Sequence, residues 1–180
     1  MGVNGNWAED IVREVASAVR GNLFWQRYLE KFDEGTGCAV HLAVLREPYL
    51  EFILRGEKTV ESRFSNRRCA PYKRVAKGDV LILKQQSGPV LGLCRVVHAW
   101  FYELDPESWR TIRKDFTAAL RAEDPGFWRD RKATSFATLM SIDNVHSLPP
   151  IGCGKRDRRG WVVIRKMVEE PTQWNLKGLR

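Results

Sequence analysis

Residues 39–64 read AVHLAVLREPYLEFILRGEKTVESRF, and the changes of pattern inside this stretch decide the fold. Residues 39–45 form a short β-type run. Residues 47–54 read as a helix, with Pro48 tolerated in its first turn and Gly56 just past its end. Residues 59–64 alternate with the two-residue period of a strand. The order is β-α-β, with the junction between helix and second strand at Lys58.

Downstream, residues 65–77 are a polar, basic connection. Residues 79–84 carry apolar side chains on both faces, as a buried strand does. Residues 90–102 read as a long strand broken by Gly92, of the kind that bends around a barrel. Helices are expected over 106–120 and 125–131, and closing strands over 136–142 and 161–166. Pro149, Pro150 and two following glycines read as a connection outside regular structure. Five or six short strands with one early helix predict an α+β fold built on a small, partly open β-barrel with flanking helices.

Upstream, residues 1–37 read as helical. Asn6 stands as a first cap with Glu9 three residues on. Ile11, Val12, Val15 and Val19 recur at helical spacing, and Gly21 ends that helix. Phe24, Tyr28 and Phe32 would share one face of a second helix, followed by a linker over 33–37. The expected organisation is a helical extension (1–37), a barrel domain (38–168) and a tail (169–180). The extension's apolar stripes must pack on something, and a cap on the barrel is the expected role.

Composition narrows the function. The chain has 180 residues, 43% hydrophobic, with 7 Trp and 8 Phe, which is a globular composition. No apolar run reaches the length of a membrane span. Glu9, Asp10, Arg13 and Glu14 interrupt any signal-peptide apolar region. Cys38, Cys69, Cys94 and Cys153 are widely spaced, which fits free thiols in a reducing cytoplasm. Cys38 and His41 have metal-like spacing without a second pair, so they read as strand positions, and neither a metal nor a cofactor is expected. His98 and His146 sit among apolar residues in the sequence and read as structural. The net charge is +8, with −2 on residues 1–37 and therefore +10 on the rest. Basic excess concentrated on one domain is the electrostatic pattern of polyanion binding.

Four segments carry candidate chemistry. Glu61 and Arg63, two apart on a strand, share a face, and Lys58 joins them if the chain turns near Thr59. Such a trio can bind a phosphate, read a base edge or transfer a proton, or it can be a surface ion pair. Residues 55–77 hold eight basic residues, among them Arg67, Arg68, Lys73 and Arg74, against Glu57 and Glu61, with Phe64 and Tyr72 interleaved. Lys155, Arg156, Arg158 and Arg159 flank Asp157 and form a candidate phosphate-contacting rim. Lys84, Gln85, Gln86 and Ser87 offer donors and acceptors at a turn. Arg46 follows the first strand and can face a cleft, whereas Tyr49 reads as core.

The pattern Gly56-x-Lys58-x-x-Glu61-x-Arg63, with its preceding strand and helix and the closing Asp157-Arg158-Arg159-Gly160-Trp161, resembles the ASCH domain of the PUA-like superfamily over roughly 40–166. The resemblance implies a barrel with a cleft beside the motif and a ligand such as RNA, a nucleoside or a modified base. Some ASCH-like proteins are amidohydrolases on acetylated cytidine, and ribonuclease activity is associated with others. In the amidohydrolase type a threonine stands three residues after the lysine; here that place holds Glu61, and Thr59 stands directly after Lys58. The leading expectation is therefore an RNA-binding protein whose cleft uses Arg46, Lys58, Glu61, Arg63 and residues 84–87. The alternatives are a hydrolase in which Lys58 and Glu61 share acid–base work while Arg63 stabilises negative charge, and an interaction module acting through the N-terminal helices.

Overall fold

The structure, a computed structural model, describes residues 7–33 and 38–166. Asn6, residues 34–37 of the expected linker, the 169–180 tail and the side chain of Phe32 lie outside the described residues. The elements in chain order are α1 (Trp7–Ala18), α2 (Leu23–Asp33), β1 (Val40–Leu45), α3 (Tyr49–Leu54), β2 (Val60–Ser65), β3 (Val80–Gln85), β4 (Val90–Glu103), α4 (Pro106–Leu120), α5 (Pro125–Arg129), β5 (Phe136–Ile151) and β6 (Trp161–Arg165). No helix among them is long and apolar enough to cross a membrane.

The six strands make one curled sheet in the order β2-β5-β4-β3-β1-β6. Only β1 and β3 pair in parallel, because the chain crosses through α3 and β2 between them. The long strands β4 and β5 carry the curl, with register shifts at Val90/Gly92, Leu93/Arg95 and Val96/His98. Each shift adds local twist and bends the pair. Gly92 is required at the first of these shifts. A Cβ there would lie 2.6 Å from Leu54 Cδ2 and 2.9 Å from the His146 carbonyl oxygen.

Three apolar clusters pin the layers. On one face of the sheet, Ile11, Val15, Val19 and Trp25 of the N-terminal helical region pack on Val40, Leu42, Val80, Ile82, Val90 and Leu93. Inside the curl, Leu50 and Ile53 of α3 plug a core of Ala43, Leu81, Leu83, Cys94, Val96, Met140 and Trp161. At the β2 edge, α4 and α5 bury Ile112, Leu120, Phe127 and Trp128 against Val60, Ala137 and Leu139. Each such fully buried aliphatic or aromatic side chain contributes about 1.5–3 kcal/mol.

Several sequence expectations need correction. The strand expected over 136–142 runs on to Ile151 and includes Pro149 and Pro150. The prolines fall between the Gly92–Ser147 and Val90–Ile151 pairs, opposite a register shift where the ladder demands no N–H from them. His98, read as structural, is exposed, with its ring tilted 57° to that of Trp100 and the centroids 4.5 Å apart. The early helix starts at Tyr49, not 47, and α5 ends at Arg129, not 131. His41 is fully buried, with Nε2 2.9 Å from Asp79 Oδ2 and Nδ1 accepting from Trp161 Nε1 at 3.2 Å. Cys38 lies beside the Tyr28 hydroxyl at 3.9 Å.

Candidate functional site

Gly56 ends α3 in the left-handed region at φ +74, and the Lys58 amide then donates back to the Phe52 carbonyl at 3.0 Å. This hook turns the chain before Thr59, which is what lets Lys58 join the face of Glu61 and Arg63. The Lys58 side chain is 2% exposed. Its ammonium donates to the Val60 and Leu120 carbonyls at 2.5 and 3.3 Å and lies 3.5 Å from Glu61 Oε2. The Thr59 amide donates to the Ala119 carbonyl at 3.1 Å. Both acceptors belong to the last turn of α4, where free carbonyls and the negative end of the helix dipole favour a cation. Burial pushes the Lys58 pKa below the usual lysine value, against the opposing pull of Glu61.

Glu61 is 3% exposed and is shared with Arg63, whose Nε lies 2.9 Å from Glu61 Oε1. That contact is an ion pair whose N–H does not point at the oxygen. Arg63 Nε and Nη2 are therefore buried without a hydrogen-bond acceptor among the described residues. Arg63 Nη1 donates to the Gly160 carbonyl at 3.1 Å, and the guanidinium sits 5.2 Å from the Trp161 ring centroid. Trp161 is itself held by its bond to His41. The trio thus lies at the gap between the two edge strands of the half-barrel, with Arg63 spanning it.

These residues line a basin of about 880 Å³ at the mouth of that gap. Segments from β1, α3, β2, the turn after β3, the turn after α5 and the lead-in to β6 form its walls. Eight cationic side chains face it: Arg46, Lys58, Arg63, Lys84, Arg131, Lys155, Arg158 and Arg159. The carboxylates are Glu61, Asp130 and Asp157. Lys155 and Arg159 grip Asp157 at 2.9 and 3.0 Å, and Arg159 above all holds its carboxyl well below the usual range. Lys84 donates to the Gly88 and Gln85 carbonyls. Among the described residues, Arg46, Arg131 and Arg158 have no carboxylate within ion-pair distance.

The basin therefore brings together Arg46, Lys58, Glu61, Arg63, Lys84, Ser87, Lys155, Arg158 and Arg159 of the expected site residues. Gln86 lines it in place of Gln85, which instead donates to Glu47 at 3.3 Å. Arg67, Arg68, Lys73, Arg74 and Arg156 are exposed outside its lining. Arg68 pairs with Glu103 at 2.7 Å. Tyr49, expected in the core, is half-buried and faces the basin. Besides Val44 and Leu45 at the end of β1, residues that sequence reasoning did not place there are Ser62, Phe127, Asp130, Arg131 and Thr134. Four of these five follow α5's start and reach the motif only by tertiary packing, so no local pattern marks them.

Residues 44–139 match the ASCH domain. Among solved structures, ASCH from Zymomonas mobilis is similar at 14% identity, with a TM-score of 0.57 over 71% of this chain and 88% of that one. Two single-residue variants of that protein align alike. One is at 15% identity and TM-score 0.58 over 71% of this chain and 89% of its own. The other is at 14% identity and TM-score 0.54 over 71% and 91%. At such identity the likeness establishes the fold alone, the curled half-barrel. No curated protein is similar enough to the chain to count as a match.

Proposed function

The chain belongs to the ASCH domain family, and from that premise we propose that its basin binds RNA. The carrying observation is the convergence of eight cations against three carboxylates in one concave site, three of those cations having no carboxylate within ion-pair distance among the described residues. The buried, unpartnered Nη2 of Arg63 supports the same reading, since a ligand oxygen would satisfy a donor that is costly to leave unpaired. Arg46 and Arg158 would take phosphates or base edges, with Ser87 and Gln86 as neutral partners at the rim. Arg67, Arg68, Lys73, Arg74 and Arg156 would lengthen the phosphate track outside the basin, releasing counterions as they do so.

The test is fluorescence anisotropy with a labelled single-stranded RNA across a salt series. Neutralising about three to five phosphates gives a slope of log K against log salt of roughly −2 to −3.5. Removing Arg46 and Arg158 together should flatten it by about 1.4. Absence of binding at low salt, or affinity that ignores salt, rejects the proposal.

A hydrolytic use of the same trio has one observation in its favour, the lowered pKa of Lys58 beside Glu61. Against it, the Lys58 nitrogen is already engaged by the Val60 and Leu120 carbonyls and by Glu61. RNA cleavage that disappears in Glu61→Gln while RNA binding survives would favour hydrolysis over binding alone.

A further inference from the structure

We propose that the turn after α5 carries a stacking platform for one unpaired nucleobase, with the flat guanidinium of Arg131 as its face. The inference rests on the RNA-binding reading of the basin and names the part of the ligand that enters it.

The centre of the Arg131 guanidinium lies 3.8 Å from the centroid of the Phe127 ring, the separation of two stacked planes. Arg131 Nη1 donates to the Phe127 carbonyl at 2.7 Å, which fixes the rotamer. The ring beneath is equally fixed. Phe127 is 5% exposed and meets Trp128, Tyr49 and Phe64 edge-on at centroid distances of 4.9, 5.9 and 6.1 Å. Phe64 in turn stacks on Trp109 at 5.5 Å. One face of the guanidinium is thus covered by Phe127. The Phe64 ring lies 5.8 Å from the same guanidinium, and Arg131 lines the basin and is half-buried, so the part of its face that the two rings leave uncovered is offered to the basin.

A phosphate is met by the N–H edge of a guanidinium, and part of that edge is spent here on the Phe127 carbonyl. Arg131 is instead held over the Phe127 ring, partly desolvated and without a carboxylate in ion-pair range among the described residues. A planar cation backed by an aromatic ring is a surface for a base. Bases inside a duplex are stacked on both sides and have no face to give, so the platform selects single strands, loops or flipped nucleotides. Tyr49 and Phe64 bound the same corner, and the motif carboxylate Glu61 lies in the same basin.

The experiment uses the full chain and three labelled or competing probes: a single-stranded RNA, the same sequence as a duplex, and inorganic polyphosphate, which has phosphates and no bases. Arg131→Lys keeps the charge and removes the plane. The expected result is single-strand binding at least tenfold tighter than duplex, and a loss of about tenfold for the single strand in Arg131→Lys. The salt slope and the polyphosphate affinity should stay as in the wild type. A 2-aminopurine base in the single strand should be quenched on binding by the wild type and less so by the variant. Equal binding of single strand and duplex, or an Arg131→Lys variant that binds the single strand as the wild type does, overturns the platform and leaves the RNA-binding basin standing. A wild-type chain that binds polyphosphate but no RNA at low salt overturns both.

Discussion

Lys58 and Glu61 form a buried pair, 2% and 4% exposed at their side chains. Removing one partner from such a pair leaves an uncompensated charge, which costs about 3–5 kcal/mol, whereas an apolar replacement of both is close to neutral. Glu61→Gln should therefore lower the urea-unfolding free energy by about 3–5 kcal/mol, and Lys58→Met with Glu61→Leu should recover most of the loss. An isolated Glu61→Gln that unfolds like the wild type contradicts the pairing. The pH dependence has a definite sign. Burial lowers the Lys58 pKa in the folded chain, so between that lowered value and 10.5 the unfolded chain binds the proton more tightly. Stability then rises with pH through this window. The wild type should gain on Lys58→Met as pH climbs towards 10.5, a difference in which the tyrosines cancel; a constant gap rules the shift out. At this scale the sequence was partly legible. Glu61 and Arg63 share a strand face by spacing alone, and Lys58 joins them once Gly56 hooks the chain. Arg131 and Phe127 were not legible, because their stacking is local but their approach to the motif is made by the packing of α5 on β2.

The elements are tied together at the two edges of the sheet. β2 and β6 are its outermost strands, and Arg63 spans the gap by its bond to the Gly160 carbonyl and its contact with the Trp161 ring. Gly160 also accepts from the Val44 amide at 3.0 Å. Arg63→Ala should free this seam, and hydrogen exchange at Val44 and across 157–163 should quicken while the β4–β5 centre stays protected; unchanged exchange there contradicts the strut. The α4 insertion has a separate hold. Asp105 and Ser108 form a reciprocal cap ahead of Pro106. Asp105→Ala should cost about 1 kcal/mol and lower Tm by about 2–4 °C, as read by calorimetry. The range expected for α4, 106–120, matches its bounds to the residue. The end of β5 was not legible, because Pro149 and Pro150 look like breakers until the register shift opposite them is known. Gly92 signalled the bend correctly, since a break inside a long apolar strand is a local feature.

At the scale of the molecule, the question is whether the N-terminal helices are an appendage or part of one cooperative unit. Their amphipathic stripes were readable, but the face they cover was not, because the outer side of β1, β3 and β4 is as apolar as the inner side. The first cluster mixes Ile11, Val15, Val19 and Trp25 with residues of four strands, and Arg95 of β4 stacks beneath Phe24 and Tyr28 at 5.4 and 5.8 Å. Trp25 is 1% exposed and its Nε1 donates to the Asn144 carbonyl at 2.9 Å. Such sharing predicts a single transition for helices and half-barrel. Trp25→Ala should cost about 3–5 kcal/mol, and the whole molecule should register it. Two probes separate the cases: the far-UV helical signal, and labelling of Cys94, which is fully buried inside the curl away from the helices. Both midpoints in denaturant should move down together. Were residues 1–37 an independent extension, the helical signal would fall early while Cys94 labelling kept its wild-type midpoint, and the cap reading would give way to a separable arm.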